Sequence, residues 1–337
     1  MHLVNVYGPD DVRLDKVERP MPGERDAIVR IEACGVCGTD LTFIRTGGTA
    51  KEGSPMPLGH EAAGTVVAVG PKADGVKVGQ HVIVNPMGTS AVIGNGGPEG
   101  AFTEELLVRE AALGRSLLAV PEGLPSRFAA LAEPLGVAMH GVNRSGAMAG
   151  EKVVVFGCGP IGLGAVLWLR HRGIEDVVAV DVFDERLEMA CAMGARATIR
   201  ADREDLATRL ADLHGREDVM GRPAVGTHAY IDAAGAPGIV PDVVKMARKH
   251  ARLVVIAAYR RPVELDLQAM LTSEMSITTS IGYPDELETV LTLLPTLTDK
   301  LDRLVTHRFP FERVIEAFGV AGKANAGKVM VEFGENR

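Results

Sequence analysis

One six-residue stretch limits what this chain can fold into more than any other. Gly157-Cys158-Gly159-Pro160-Ile161-Gly162 follows directly on the β-branched run Val153–Phe156 and opens an apolar, helix-like segment. A strand that passes into a helix through GxGxxG begins a dinucleotide-binding βαβ unit. Gly157 permits the tight turn, Gly159 lets the backbone approach a pyrophosphate, and Gly162 allows close packing of helix on strand. Pro160 and Ile161 fall in the first helical turn, where free N–H groups and the positive dipole end attract phosphate. Alone the motif is weak, since glycine turns occur in many α/β proteins. Its weight comes from Asp181, which follows the next β-rich run, Val177–Val180, nineteen positions beyond Gly162. An acid at that place receives the adenosine ribose hydroxyls and repels a 2′-phosphate, so NAD is expected rather than NADP. Arg186, five positions on, either meets a phosphate, lies along the adenine or ribose edge, or faces solvent.

The pattern around the motif repeats. Apolar runs at Val153–Phe156, Val177–Val180, Tyr230–Asp232 and Leu253–Ala257 alternate with helix-like stretches at Ile161–Arg172, Glu185–Met193, Glu204–Leu213 and Ile239–Lys249. Gly173 and Gly194 are placed to close the first two helices. Such alternation predicts a doubly wound parallel sheet. Before it, Ala27–Ala33, Glu61–Val69 and His81–Val84 are short β-rich runs between Gly- and Pro-bearing turns, as in a small barrel or sandwich. A Gly-rich connection occupies residues 85–100 and reads as functional or mobile. After Ser126 a helix is expected through Leu131 and Ala132, interrupted or kinked at Pro134 and ending near Val142. In the tail, Phe309–Phe318 reads as helix and Lys328–Phe333 as strand. At 337 residues two domains are the natural expectation.

Three separated segments carry side chains that suit zinc: Cys37 within Cys34-Gly35-Val36-Cys37-Gly38-Thr39-Asp40, His60 within Gly59-His60-Glu61, and Glu133 within Ala132-Glu133-Pro134. A catalytic zinc takes about three protein ligands, with S, N or O donors, and keeps one position open for substrate. Each residue taken singly has a plain structural explanation: a buried or redox-active CxxC pair, a core or surface histidine, a helix end before proline.

The chain resembles the zinc-containing medium-chain dehydrogenases, in their sorbitol, threonine and glucose dehydrogenase branch. The resemblance rests on Gly35-Val36-Cys37-Gly38-Thr39-Asp40, Gly59-His60-Glu61-Ala62-Ala63-Gly64, Gly100-Ala101-Phe102-Thr103-Glu104, Ala132-Glu133-Pro134-Leu135 and the Gly157–Gly162 motif followed by Asp181. It implies an α/β protein with a GroES-like, β-rich catalytic domain at residues 1–141 and 285–337 around a Rossmann coenzyme domain at 142–284. It carries over Cys37 and His60 as zinc ligands, and Glu61 and Glu133 as ligands or water-mediated partners that exchange with water and substrate. Cys34 becomes a packing residue. The implied reaction moves hydride from a secondary alcohol or polyol to NAD, with zinc lowering the hydroxyl pKa, and the implied assembly is a homodimer or tetramer. Two departures stand out. The four-cysteine structural zinc lobe of many relatives would fall at residues 86–98, which hold neither Cys nor His, so one zinc per chain is expected. Thr42 occupies the position of a proton-relay histidine, and Thr39 becomes the candidate for passing the hydroxyl proton outward.

Other classes fit less well. Acidic residues outnumber basic ones, 44 to 36, and the basic ones are scattered, so nucleic acid is not an expected partner. The sequence offers no apolar stretch of about 18 residues and no signal-like N-terminus, so a cytoplasmic protein without membrane association is expected. A zinc-free quinone or enone reductase on the same fold would leave Cys37, His60 and Glu133 unexplained. A nicotinamide-binding redox sensor would instead use Cys34 and Cys37 as a regulatory disulfide.

Overall fold

Val153, Val154, Val155 and Phe156 are all buried, as befits β-branched and aromatic residues in a strand covered on both faces. The computed structural model describes residues 1–51 and 53–334, and in it they form the strand Lys152–Phe156. In chain order this is the first strand of a six-stranded sheet, followed by Asp176–Asp181, Ala197–Arg200, Ala229–Asp232, Arg252–Val255 and Ser276–Thr279. Every pairing is parallel. The strands lie in the order 3-2-1-4-5-6, the Rossmann arrangement, and the winding reverses between strands one and four. A crevice therefore opens beyond the carboxyl ends of those strands, where open α/β sheets bind ligands.

Helices Pro160–His171, Asp184–Met193, Leu206–His214 and Ile239–Met246 connect the strands. The first begins with proline, whose missing N–H costs nothing there. Gly194 closes the second with φ +119°. The third starts two residues later than its sequence pattern suggests, because Asp205 caps it through the Thr208 N–H at 2.8 Å. Strands three and six have no counterpart in the sequence reading. Each is four residues long, lies at an edge of the sheet and buries little, so neither Ala197–Arg200 nor Ser276–Thr279 makes an apolar run.

The chain divides into two units, Met1–Glu133 with Leu287–Arg337, and Pro134–Glu286. These limits lie before and after the 141/142 and 284/285 junctions read from sequence. Helix Ala132–Ser145 explains the first difference: the Trp168 indole donates to the Leu135 carbonyl at 2.8 Å, fastening its early part to the Rossmann unit. Pro134 does not interrupt this helix. A separate turn, Ser126–Ala129, precedes it, and Pro134 sits in the first turn, where proline is tolerated.

The other unit is built on β-strands. Its larger sheet runs Val305–Pro310, Lys328–Glu332, Ala27–Gly35, Glu61–Val69, His81–Val84 and Leu117–Ala119, with Glu105–Val108 also pairing on Ala27–Gly35. A smaller sheet joins Asp11–Lys16, His2–Gly8 and Met56–Pro57. Its first two strands are not in the sequence reading: Asp11–Lys16 is polar and only partly buried, whereas His2–Gly8 buries Val4, Asn5 and Val6. The expected helix at Phe309–Phe318 is corrected as well: Phe309 and Pro310 finish a strand, residues 311–313 form one 3₁₀ turn, and the helix is Val314–Ala321. Pro310 lacks the N–H an interior helical position needs. The Gly-rich segment 85–100 closes on itself, with the Gly94 N–H donating to the Glu99 carbonyl at 2.7 Å and Ile93 in the core. No helix among the described residues is long and apolar enough to cross a membrane.

Candidate active site

Cys37 stands at the N-cap of helix Gly38–Thr46, and its sulfur accepts the Thr39 N–H at 3.5 Å. Asp40 completes a capping box by accepting the Cys37 N–H at 2.9 Å. The same carboxylate reaches the next segment: it accepts the Gly59 N–H at 3.3 Å and lies 3.6 Å from His60 Nδ1. Asp40 is wholly buried and ties the turn bearing Cys37 to the turn bearing His60. Glu61 begins its strand opposite Gly35. A Cβ at Gly35 would lie 2.1 Å from Glu61 Oε2, so only glycine leaves room for the carboxylate.

Donor atoms of Cys37, His60 and Glu61 converge within 4.8 Å of one another. His60 and Glu61 are buried, and Cys37 is half-buried. Burial opposes a charge on His60, but the negative charges of Asp40, Cys37 and Glu133 outweigh it and hold the imidazole pKa well above its ordinary value. The site thus favours positive charge. Glu133, in the first turn of helix Ala132–Ser145, acts on His60 and Lys328 through its charge but stands outside the three-donor group. Thr39 is the second residue of the helix that Cys37 caps.

The sequence reading missed two members of this site. Asp40 lay inside a quoted motif without a role, although an acid three positions after a turn residue is a capping signal. Lys328 gave no signal at all, since a lysine heading a strand usually faces water. Here it is buried, and its ammonium donates to both carboxylate oxygens of Glu61 at 2.7 Å and to the Val36 carbonyl at 3.1 Å. Burial opposes its charge as well, yet Glu61, Cys37 and Glu133 raise its pKa. Cys34 packs in the core, where burial pushes its thiol pKa well up.

The Rossmann unit carries a second site. Gly157 has φ +85° and its N–H donates to the Val180 carbonyl at 2.8 Å. A Cβ at Gly162 would lie 1.7 Å from the Gly157 carbonyl oxygen, which is the close packing the motif requires. Gly159 is the N-cap of the helix that Pro160 and Ile161 open. Asp181 accepts the Cys158 N–H at 2.7 Å and the Val182 and Phe183 N–H groups at 2.7 and 3.1 Å, which fixes its carboxylate beside the glycine turn. A cavity of about 600 Å³ is lined by Gly157, Gly159, Asp181 and Arg186 among others. Arg186 stacks over the Phe183 ring, 5.3 Å from its centroid. Glu204, Asp205 and Asp242 also line this cavity, with the Glu204 carboxylate already engaged by Arg209 at 2.6 Å, and no sequence motif marks those three acids.

A Rossmann sheet with Asp181 at the end of its second strand, in one chain with a β-rich unit holding Cys, His and Glu donors, is the combination found in an α/β dehydrogenase. Residues 23–121 match the alcohol dehydrogenase GroES-like domain and residues 160–296 the zinc-binding dehydrogenase domain. The chain is 30% identical to the sorbitol dehydrogenase of Rattus norvegicus, over 98% of this chain and 95% of that protein. It superposes on an alcohol dehydrogenase of Escherichia coli CFT073 complexed with the cofactor NADH (TM-score 0.86, 27% identity, 99% of each chain). It also superposes on the 2R,3R-butanediol dehydrogenase of Bacillus subtilis (TM-score 0.86, 26% identity, 98% of this chain and 99% of that one). The chain belongs to the zinc-containing medium-chain dehydrogenase family, and it is an oxidoreductase of the alcohol dehydrogenase kind.

Proposed function

We propose that the protein oxidises a secondary alcohol or polyol with NAD, using one zinc ion per chain. The observation that carries the reading is the convergence of Cys37, His60 and Glu61 donors in a buried site that favours positive charge. Sulfur, nitrogen and oxygen donors in that number suit a catalytic zinc with a position left for substrate. Cys37 and His60 would hold the ion, with Glu61 and Glu133 as ligands or water-mediated partners. Zinc held there would supply Lewis-acid polarisation of the substrate hydroxyl, and NAD held by the Rossmann unit would supply the hydride acceptor.

The chain's own residues do the rest. Asp40 orients His60 and the Cys37 turn, as outer carboxylates do for metal-ligating histidines. Thr39 passes the hydroxyl proton towards water. Gly157, Gly159 and the helix opened by Pro160 and Ile161 receive the pyrophosphate, and Asp181 the adenosine ribose. The carboxylate of Asp181, held at the lining of that cavity, opposes a 2′-phosphate, which supports NAD. Similarity to sorbitol and butanediol dehydrogenases supports the substrate class. We assign the catalytic role to unit Met1–Glu133 with Leu287–Arg337, and the coenzyme role to Pro134–Glu286. The reading extends to a cytoplasmic location, supported by four free cysteines, and to a homodimer or tetramer. A zinc-free reductase would leave the buried donor group without use, and a Cys34–Cys37 sensor would need a thiol that burial keeps protonated.

Elemental analysis of extensively dialysed protein, with a screen of polyols, secondary alcohols and enones for cofactor turnover, tests the reading. About one zinc per chain is expected, with NADH formed from polyols or secondary alcohols. Cys37→Ser and His60→Ala should lose metal and turnover while still binding NADH. Full activity after metal removal would refute the zinc role, and two tightly held ions would refute the single-site count.

A further inference from the structure

Strand four of the Rossmann sheet ends at Asp232, which is wholly buried. Its Oδ1 accepts the N–H groups of Ala234 and Gly235, each at 2.9 Å. Its Oδ2 accepts the hydroxyl of Tyr259 at 2.6 Å. Tyr259 belongs to the segment after strand five, and its hydroxyl also lies 3.2 Å from the Ala236 carbonyl. The backbones are joined too, because the Ile256 and Ala257 N–H groups donate to the Asp232 carbonyl at 2.9 and 3.1 Å. A Cβ at Gly235 would come within 3.1 Å of both Ala257 Cβ and the Ala258 carbonyl oxygen, so the two segments leave no slack between them. On its other side the segment after strand four meets the glycine turn: a Cβ at Gly157 would lie 2.8 Å from Ala234 Cβ.

The strand order assigns each segment to a part of the ligand. Asp181 ends strand two and marks the adenosine side, and the cavity it lines extends across strand one to Ala233, Ala234 and Ala236. Residues 256–259 lie one strand further across, after strand five. A dinucleotide spanning the switch point with its adenosine over strand two directs its other half to that side.

We propose that Tyr259 is a positioning residue for the nicotinamide half of the cofactor. Its hydroxyl, through Asp232, locks segment 256–259 to the wall of the adenosine cavity and so fixes the surface on which the nicotinamide rests. The inference depends on the dinucleotide reading of this unit. Without the hydroxyl, Ala234 and Gly235 keep their bonds to Asp232, so the adenosine cavity stays built, while the strand-five segment keeps its backbone bonds at Ile256 and Ala257 and loses its side-chain tie at Tyr259.

Tyr259→Phe removes that tie alone, and the full-length variant is titrated with NADH by fluorescence and with 5′-AMP by calorimetry. NADH should bind more than about threefold weaker and 5′-AMP within about twofold of wild type. Tyr259→His keeps a ring N–H donor and should bind NADH better than the Phe variant, whereas a ring that merely fills space would rank Phe above His. Unchanged NADH binding in Tyr259→Phe, equal losses for NADH and 5′-AMP, or Phe ranking above His would overturn the proposal. A wild type that binds neither nucleotide would instead overturn the dinucleotide reading itself.

Discussion

Lys328→Met isolates the ion pair beneath the donor group. The wild-type ammonium donates to both Glu61 oxygens at 2.7 Å, with the two side chains 2% and 1% exposed. Methionine matches the length of the stem and removes the charge, so the variant buries a carboxylate with no cation beside it. Breaking a buried pair from one side costs about 3–5 kcal/mol. The assay is urea denaturation of metal-stripped wild type, Lys328→Met, Glu61→Gln and the double variant at pH 7. The single Lys328 variant should lose about 3–5 kcal/mol, and the double variant should recover part of the loss. A loss below about 1 kcal/mol, or a double variant no more stable than the single one, would show that the pair is not held as a buried charge pair.

Three other outcomes follow from the geometry. Asp181→Ser should narrow the preference for NAD over NADP in kcat/KM by at least about tenfold, or ~1.4 kcal/mol; a wild type that prefers NADP would refute the role given to Asp181. Thr39→Val should lower kcat by about 10²-fold or more if its hydroxyl carries the proton, with NADH affinity unchanged, and an unaltered pH–rate profile would rule it out. His214 is buried, with Nδ1 2.7 Å from the Thr227 hydroxyl, and burial pushes its pKa down from 6.5 to about 4 against the pull of Asp176. Its unfolded form therefore takes a proton first, so the stability it contributes is present above pH 6.5 and is lost as pH falls towards 4; a wild-type minus His214→Gln difference that is flat between pH 7 and 5 would contradict this.

What could be read from the residues follows how local each signal is. Strand one, the glycine turn and Asp181 are adjacent in the chain, so their packing is written in one βαβ pattern. Cys37, His60 and Glu61 are far apart from Asp181, yet each lies in a short stretch rich in glycine, whose spacing reflects close approach, as at Gly35. Lys328 was illegible because its partner lies 267 residues away and nothing beside it marks a buried position. The edge strands Ala197–Arg200 and Ser276–Thr279 were missed because pairing along one side, not burial, holds them in the sheet. Asp232 and Tyr259 meet only because strands four and five are neighbours, which no local pattern states.

Strand Lys328–Glu332 pairs with Ala33–Gly35 and delivers Lys328 to Glu61. During synthesis Cys37, His60 and Glu61 leave the ribosome early, while this strand follows only after the whole Rossmann unit. Until then Glu61 has no ammonium beside it, and the edge of Ala27–Gly35 that Lys328–Glu332 covers stands open to any other extended chain. Any stretch of this chain that stops short of residue 328 thus holds Glu61 without its internal counter-ion, and the arrival of this strand sets the charge balance of the site.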